Sequence, residues 1–198
     1  MSLDSSFSLF IIASEQYVEN DNIHTEYLPL LPSVPPSISF ARLALQQDAP
    51  DAINLWIGNS YSVTSLHKDP YQNIYVQILG SKSFVLLPPV AVACVQEAEL
   101  RLATYARDSS CGLKIVMDEQ EDGEEAEKVP VAMWDPDSVE GGKEGEGDGD
   151  GRGMYKGLVT PMRVKLEQGD MLYLPALWYH KVSQECSKEG ICVAVNYW

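Results

Sequence analysis

His67, Asp69 and His180 are the side chains whose types and spacing best suit shared chemistry. The chain has only three histidines, and two of them sit in strand-like stretches with turns nearby. In an extended chain, residues i and i+2 point to the same side. His67 and Asp69 can therefore offer an imidazole and a carboxylate to one ion. His180 lies more than a hundred residues further on, past Gly169-Asp170 and Pro175, and a barrel brings such distant strands together. Two histidines and one carboxylate on one face leave coordination positions open, as non-haem Fe(II) oxygenases require. Catalytic zinc sites use the same donors, so the residue types leave the metal open. A His-x-Asp triplet alone is weak evidence, and a lone histidine beside an aromatic is usually a core or surface residue. The weight lies in the combination.

These side chains need strands to carry them, and the pattern supplies strands. Residues 7–13 read as a strand and residues 14–35 as loop. A short helix is expected after Pro36, with Phe40, Leu43 and Ala44 on one face. Strands are predicted at 52–57, 63–67 and 73–79, the last paired as a hairpin with 84–87. Residues 89–107 are left open: their apolar positions suit a helix, but Pro88-Pro89 mark only where one would begin. Strands resume at 162–166, 171–174, 178–182 and 191–198, with a turn at 167–170. Many short strands separated by glycine and proline turns indicate an antiparallel sandwich or barrel, of which the cupin or jelly roll is one form.

Composition limits the function classes. With 198 residues, the chain suits a single domain with a real core. No apolar run approaches the ~18 residues a membrane span needs, and no basic stretch precedes residues 7–13 as in a secretory signal. The cysteines, Cys94, Cys111, Cys186 and Cys192, form no Cys-x-x-Cys pair. Reduced thiols in the cytoplasm, and also the nucleus, are the expectation. The net charge of −15 is local: residues 118–150 hold fourteen acidic and two basic side chains, a net of −12. The remaining −3 makes the body nearly neutral. Direct nucleic-acid binding is disfavoured, because it needs a basic face. Residues 118–153 read as an acidic, glycine-rich disordered insertion.

Thr64-Ser-Leu-His-Lys-Asp69, Lys82 after Gly80-Ser81, Gly169-Asp-Met-Leu-Tyr-Leu-Pro-Ala-Leu-Trp-Tyr-His180 and the ending Ala194-Val-Asn-Tyr-Trp198 resemble the JmjC-domain oxygenases. Asp51-Ala-Ile-Asn-Leu-Trp-Ile-Gly58 resembles a protein-hydroxylase subgroup acting on lysine. The resemblance runs from about Tyr17 to Trp198 and weakens across the acidic segment. It implies a mainly β double-stranded β-helix (the cupin-type jelly roll) with a few peripheral helices. It assigns His67, Asp69 and His180 to Fe(II), and Lys82 to the distal carboxylate of the cosubstrate 2-oxoglutarate. Thr64 and Tyr75 match its hydrogen-bonding helpers, and Tyr17 and Asn196 match further cosubstrate contacts. Trp56 and Trp198 suit either the substrate cleft or the core. Lys68 and Lys181 are expected to face away from the iron ligands, and His24 to lie at the surface.

The implied activity is decarboxylation of 2-oxoglutarate by O2, coupled to hydroxylation of a C–H bond on a protein, with lysine the expected target. The expected partner is a protein substrate carrying that lysine, with no membrane contact and a homodimer in a longer form. The alternatives are a histone lysine demethylase of the same family, a non-catalytic cupin-fold binding protein and a zinc-dependent cupin. Measured against the family, the chain reads as truncated at both ends. The acidic insertion reads first as a solvated loop, with recruitment of a lysine-rich substrate region as the alternative.

Overall fold

A computed structural model describes residues 21–101, 103–107, 112–117, 128–137 and 158–198. Eight of its strands form two four-stranded antiparallel sheets. In chain order the strands are β1 (Ile53–Gly58), β2 (Val63–Lys68), β3 (Asn73–Leu79), β4 (Ser81–Leu87), β5 (Glu97–Arg101), β6 (Ala103–Arg107), β7 (Leu113–Met117), β8 (Lys128–Ala132), β9 (Met162–Leu166), β10 (Met171–Leu174), β11 (Tyr179–Glu185) and β12 (Cys192–Tyr197). One sheet runs β1-β12-β3-β10 and the facing sheet β2-β11-β4-β9. Strands adjacent in sequence thus alternate between sheets, as in a jelly roll, and the mainly β cupin-type expectation holds.

The predicted hairpin between 73–79 and 84–87 does not form. β3 pairs with β10 and β12, whereas β4 pairs with β9 and β11. Only Gly80 separates β3 from β4, too few residues for a hairpin turn. Gly80 has φ +74°, and a Cβ there would stand 2.5 Å from the Glu185 carbonyl oxygen. Glycine is required because the chain swings from one sheet to the other against that backbone.

Apolar side chains collect in three places. Tyr75, Phe84, Leu86, Leu166, Leu174, Val182 and Ala194 fill the space between the sheets. Ile53, Leu55, Ile74, Val195 and Tyr197, on the outer face of the first sheet, pack beneath Ile23 and the segment that follows it. Leu66, Leu87 and Tyr179, on the outer face of the second, pack under Ala91, Val95 and Ala132. The free edge of β1 is covered locally. Asp21 and Asn22 side chains accept from the N–H groups of Ile53 and Leu55, and Asn22 donates to the Leu55 carbonyl. An edge so occupied no longer offers its backbone to another chain.

Other expectations change. The helix after Pro36 exists (α1, Ser39–Leu45), but Phe40 and Leu43 are 55% and 82% exposed, and Ile38 and Ala41 pack inward instead. Within 89–107 only a 3-10 turn and a short α2 (Val92–Val95) are helical, before β5 and β6 begin. The polar residues Glu97, Glu99 and Arg101 alternate along β5, a strand period that decides this part of the open stretch against a helix. Residues 128–137 also leave the disordered reading: β8 pairs with β5 in full register. The remainder of 118–153, the predicted strand 7–13, Tyr17 and Cys111 lie outside the described residues. Cys94, Cys186 and Cys192 are free. No described helix is long and apolar enough to cross a membrane.

Candidate metal centre

β2 and β11 lie side by side in the second sheet, with His67 directly opposite His180. The strands feed both imidazoles into the space between the sheets. Asp69 follows the last residue of β2 and completes the group, and the potential ligand atoms of all three lie within 4.8 Å of one another. The Asp69 carboxylate is 3.8 Å from His67 Nε2 and 3.5 Å from His180 Nε2. The two ring centroids are 4.1 Å apart.

Backbone carbonyls decide which nitrogen faces the ion. His67 Nδ1 donates to the Ser65 carbonyl at 2.7 Å, and His180 Nδ1 donates to the Trp178 carbonyl at 3.0 Å. A carbonyl only accepts, so each Nδ1 carries the proton and each Nε2 presents its lone pair. Burial, and then His180 beside it, push His67 down to about 4, against the pull of Asp69. The ring is therefore neutral near pH 7. Burial works to raise the Asp69 carboxyl, but the two imidazoles beside it, His180 first, outweigh this and hold it below its ordinary value. A neutral imidazole and an ionised carboxylate are the forms that bind a divalent metal.

Two turns set the ligands. Leu177 has φ +66°, a conformation costly for a branched residue, and donates its N–H to the Asp69 carbonyl at 2.7 Å. The strained turn before His180 is thereby tied to the segment that carries Asp69. Neither this tie nor the carbonyl acceptors of Ser65 and Trp178 has a residue-type signature, so sequence reading missed all three.

Lys82 and Tyr75 lie deeper between the sheets. Lys82 is only 6% exposed, yet among the described residues it has no carboxylate partner. Its ammonium donates to the Tyr75 hydroxyl at 2.8 Å and stands 5.9 Å from the centre of the Trp56 ring. Burial pushes Lys82 down to about 8, against a weaker pull from Cys192. Burial also pushes the Tyr75 hydroxyl up, so it stays protonated. Because the hydroxyl oxygen is engaged by Lys82, its proton remains for another acceptor. A buried cation and a convergent O–H donor match a carboxylate, which would otherwise be expensive to desolvate.

Thr64 sits opposite Val182, on the inward side of β2. A bulge places it there: β2 has two residues, Ser65 and Leu66, between His67 and Thr64, while β11 has only Lys181 between His180 and Val182. Asn196 is buried with both ends of its amide engaged, accepting from Trp56 Nε1 at 2.8 Å and donating to Asn73 at 3.2 Å. Its visible role is to hold Trp56, which is 43% exposed. Trp198 stacks on Tyr71, two residues past Asp69, with ring centroids 4.8 Å apart. His24 is exposed and bonds Asp21. Lys68 and Lys181 point outward, as alternation requires, to acidic partners described below.

The donor set fits Fe(II), and the Lys82–Tyr75 pair fits the far carboxylate of a dicarboxylate cosubstrate. Known proteins resemble this chain along most of its length. The family model of the cupin-like domain matches residues 10–198. JmjC domain-containing protein E of Dictyostelium discoideum is 32% identical over 188 residues, covering 91% of this chain and 51% of that protein. Lysine-specific demethylase JMJ32 of Arabidopsis thaliana is 36% identical, covering 91% and 50%. The human bifunctional peptidase and (3S)-lysyl hydroxylase JMJD7 is 35% identical, covering 89% and 50%. The chain thus spans about half the length of these relatives. A jelly roll with this triad, together with a family match along almost its whole length, shows that the chain belongs to the cupin-like JmjC family, whose members are Fe(II)- and 2-oxoglutarate-dependent oxygenases.

Proposed function

We propose that this protein is a 2-oxoglutarate-dependent protein hydroxylase acting on lysine. The observation that carries the reading is Lys82, a buried ammonium without a carboxylate partner among the described residues, between the same sheets as the triad. Lys82 lies opposite Gln184, four residues along β11 from His180. At ~3.3 Å per residue the two backbone rows are roughly 13 Å apart. Side chains reach in from both ends, and a five-carbon dicarboxylate suits the remainder.

Bound iron would supply activation of O2 and oxidation of the cosubstrate, coupled to hydroxylation of a C–H bond. The chain's residues do the rest. His67, Asp69 and His180 would hold the metal by one face and leave the others for cosubstrate and oxygen. Lys82 and Tyr75 would anchor the distal carboxylate, with Thr64 on the inward face of the same sheet as Lys82 as a further hydrogen-bonding group, and so fix the keto acid end at the metal. Trp56, held by Asn196, stands beside Lys82 and would shield a bound carboxylate there from water.

Lysine is favoured as the target because two of the relatives act on lysine by their names. The net charge of −15 also suits a basic protein substrate. The Arabidopsis relative supports the second reading, removal of an N-methyl group by the same oxidation. The test is aerobic incubation with Fe(II), 2-oxoglutarate and lysine or methyl-lysine peptides, read by mass spectrometry. Succinate with a peptide heavier by one oxygen is expected. Formaldehyde from the methylated peptide would favour the demethylase. No succinate from a protein that binds both Fe(II) and 2-oxoglutarate would refute both.

A further inference from the structure

Directly behind the metal centre, the outward face of the second sheet carries two clusters of charge. Lys68, between His67 and Asp69 in sequence, pairs with Glu97 and donates to the Tyr179 hydroxyl at 3.2 Å. Tyr179 in turn donates to Glu97 at 2.7 Å. Lys181 pairs with Asp135 at 2.7 Å and Asp137 at 2.9 Å. Asp137 also meets Arg163 at 2.6 Å, and Arg163 stands across β4 from Lys181, both in register with Val85. Lys68, Tyr179 and Lys181 are therefore the chain neighbours of all three candidate ligands. Their anionic partners come from one excursion of the chain. Glu97 opens β5, and Asp135 and Asp137 follow β8, its partner strand. Asp135 and Asp137 also belong to the acidic segment that composition marks as solvated.

We propose that Glu97, Asp135 and Asp137 are positioning residues for the metal centre. Resting on the metal-dependent reading above, the inference says that the β5–β8 excursion bolts the backs of β2 and β11 and so fixes the three ligands relative to one another. Side chains alternate across a strand, so a load on Lys68 or Lys181 is carried by the peptide units that also aim His67, Asp69 and His180. The side chain of Lys181 is only 12% exposed, and that of Tyr179 is buried. Once its anions are removed, Lys181 is a charge without compensation, and rotating its strand toward water relieves it. That rotation displaces His180. Groups that orient metal ligands from behind typically change affinity about 10–100-fold when removed.

Co(II) is the probe, because its visible absorption reports both occupancy and ligand geometry without turnover. Full-length protein is titrated under nitrogen as wild type, as Glu97→Gln and as the double variant Asp135→Asn/Asp137→Asn, well below each melting temperature. Affinity weaker by about tenfold, with an altered band shape, is expected in both variants. Lys181→Arg keeps the charge and should retain wild-type affinity. Lys165→Ala removes an exposed ion pair on β9, away from the ligands, and should change nothing. If the double variant fails to fold, Glu97→Gln reads the other anchor alone. Wild-type affinity and spectrum in every folded acidic variant would overturn the inference and leave the metal reading intact. Absence of Co(II) binding by wild type would overturn both.

Discussion

At the scale of the residue, the chemistry turns on how few groups are left without partners. Lys82 carries a charge that its surroundings do not compensate, and this gives two expectations. Its value falls from 10.5 unfolded to about 8 folded. Between these values the unfolded chain binds more protons, so stability rises with pH from about 8 to 10.5, by at most roughly 3 kcal/mol. The ligand-free Lys82→Met variant should lose this rise and be more stable than wild type at pH 7, by denaturant titration, while losing 2-oxoglutarate binding. Cosubstrate affinity has the opposite dependence. It needs the ammonium, so it should weaken as pH rises through 8, measured by anaerobic calorimetry. His67 works at the other end of the scale. Its folded value, about 4, lies below the ordinary 6.5. Metal-free protein should therefore lose stability as pH falls from 6.5 towards 4, and His67→Gln should flatten that part of the melting-temperature profile.

At the scale of the element, placement depends on corners and bulges more than on the strands themselves. The period-2 pattern of 73–79 and 84–87 is plain in the sequence, but their hairpin pairing was the wrong inference. Short spacing suggests a hairpin only when a turn fits, and one glycine leaves no room for it. Gly80→Ala should cost about 2 kcal/mol or more, because φ is positive and the new Cβ meets backbone. Gly169 also has positive φ, but a Cβ there meets nothing within 4 Å. Gly169→Ala should therefore cost less, and equal losses for the two in chemical denaturation would contradict the crowding argument. The bulge in β2 acts likewise: in a regular strand Thr64 and His67, three residues apart, would face opposite sides of the sheet.

For the whole molecule, metal binding and folding should be linked. The ligands come from both ends of the barrel sequence and meet only when β2 and β11 pair. A metal that binds the folded state alone stabilises it by about 2.7 kcal/mol at a hundred times its dissociation constant. Co(II) or Mn(II) should therefore raise the melting temperature of wild type by several degrees, an increase that Asp69→Ala abolishes. An unchanged shift in Asp69→Ala would mean that the metal binds elsewhere.

The sequence by itself determined the donor types, the strands and the buried lysine. Each of these is written locally: a triplet with period two, alternating apolar residues, a family motif around Lys82. It left 89–107 open, because the alternation in β5 is short, and its reading of 128–137 as disordered failed, because β8 is held by a partner strand about 30 residues away. Tertiary structure alone decided which sheet each strand joins, which imidazole nitrogen faces the metal, and what Lys68 and Lys181 hold. Those outcomes depend on carbonyls, registers and corners between distant segments, and backbone atoms carry no residue identity.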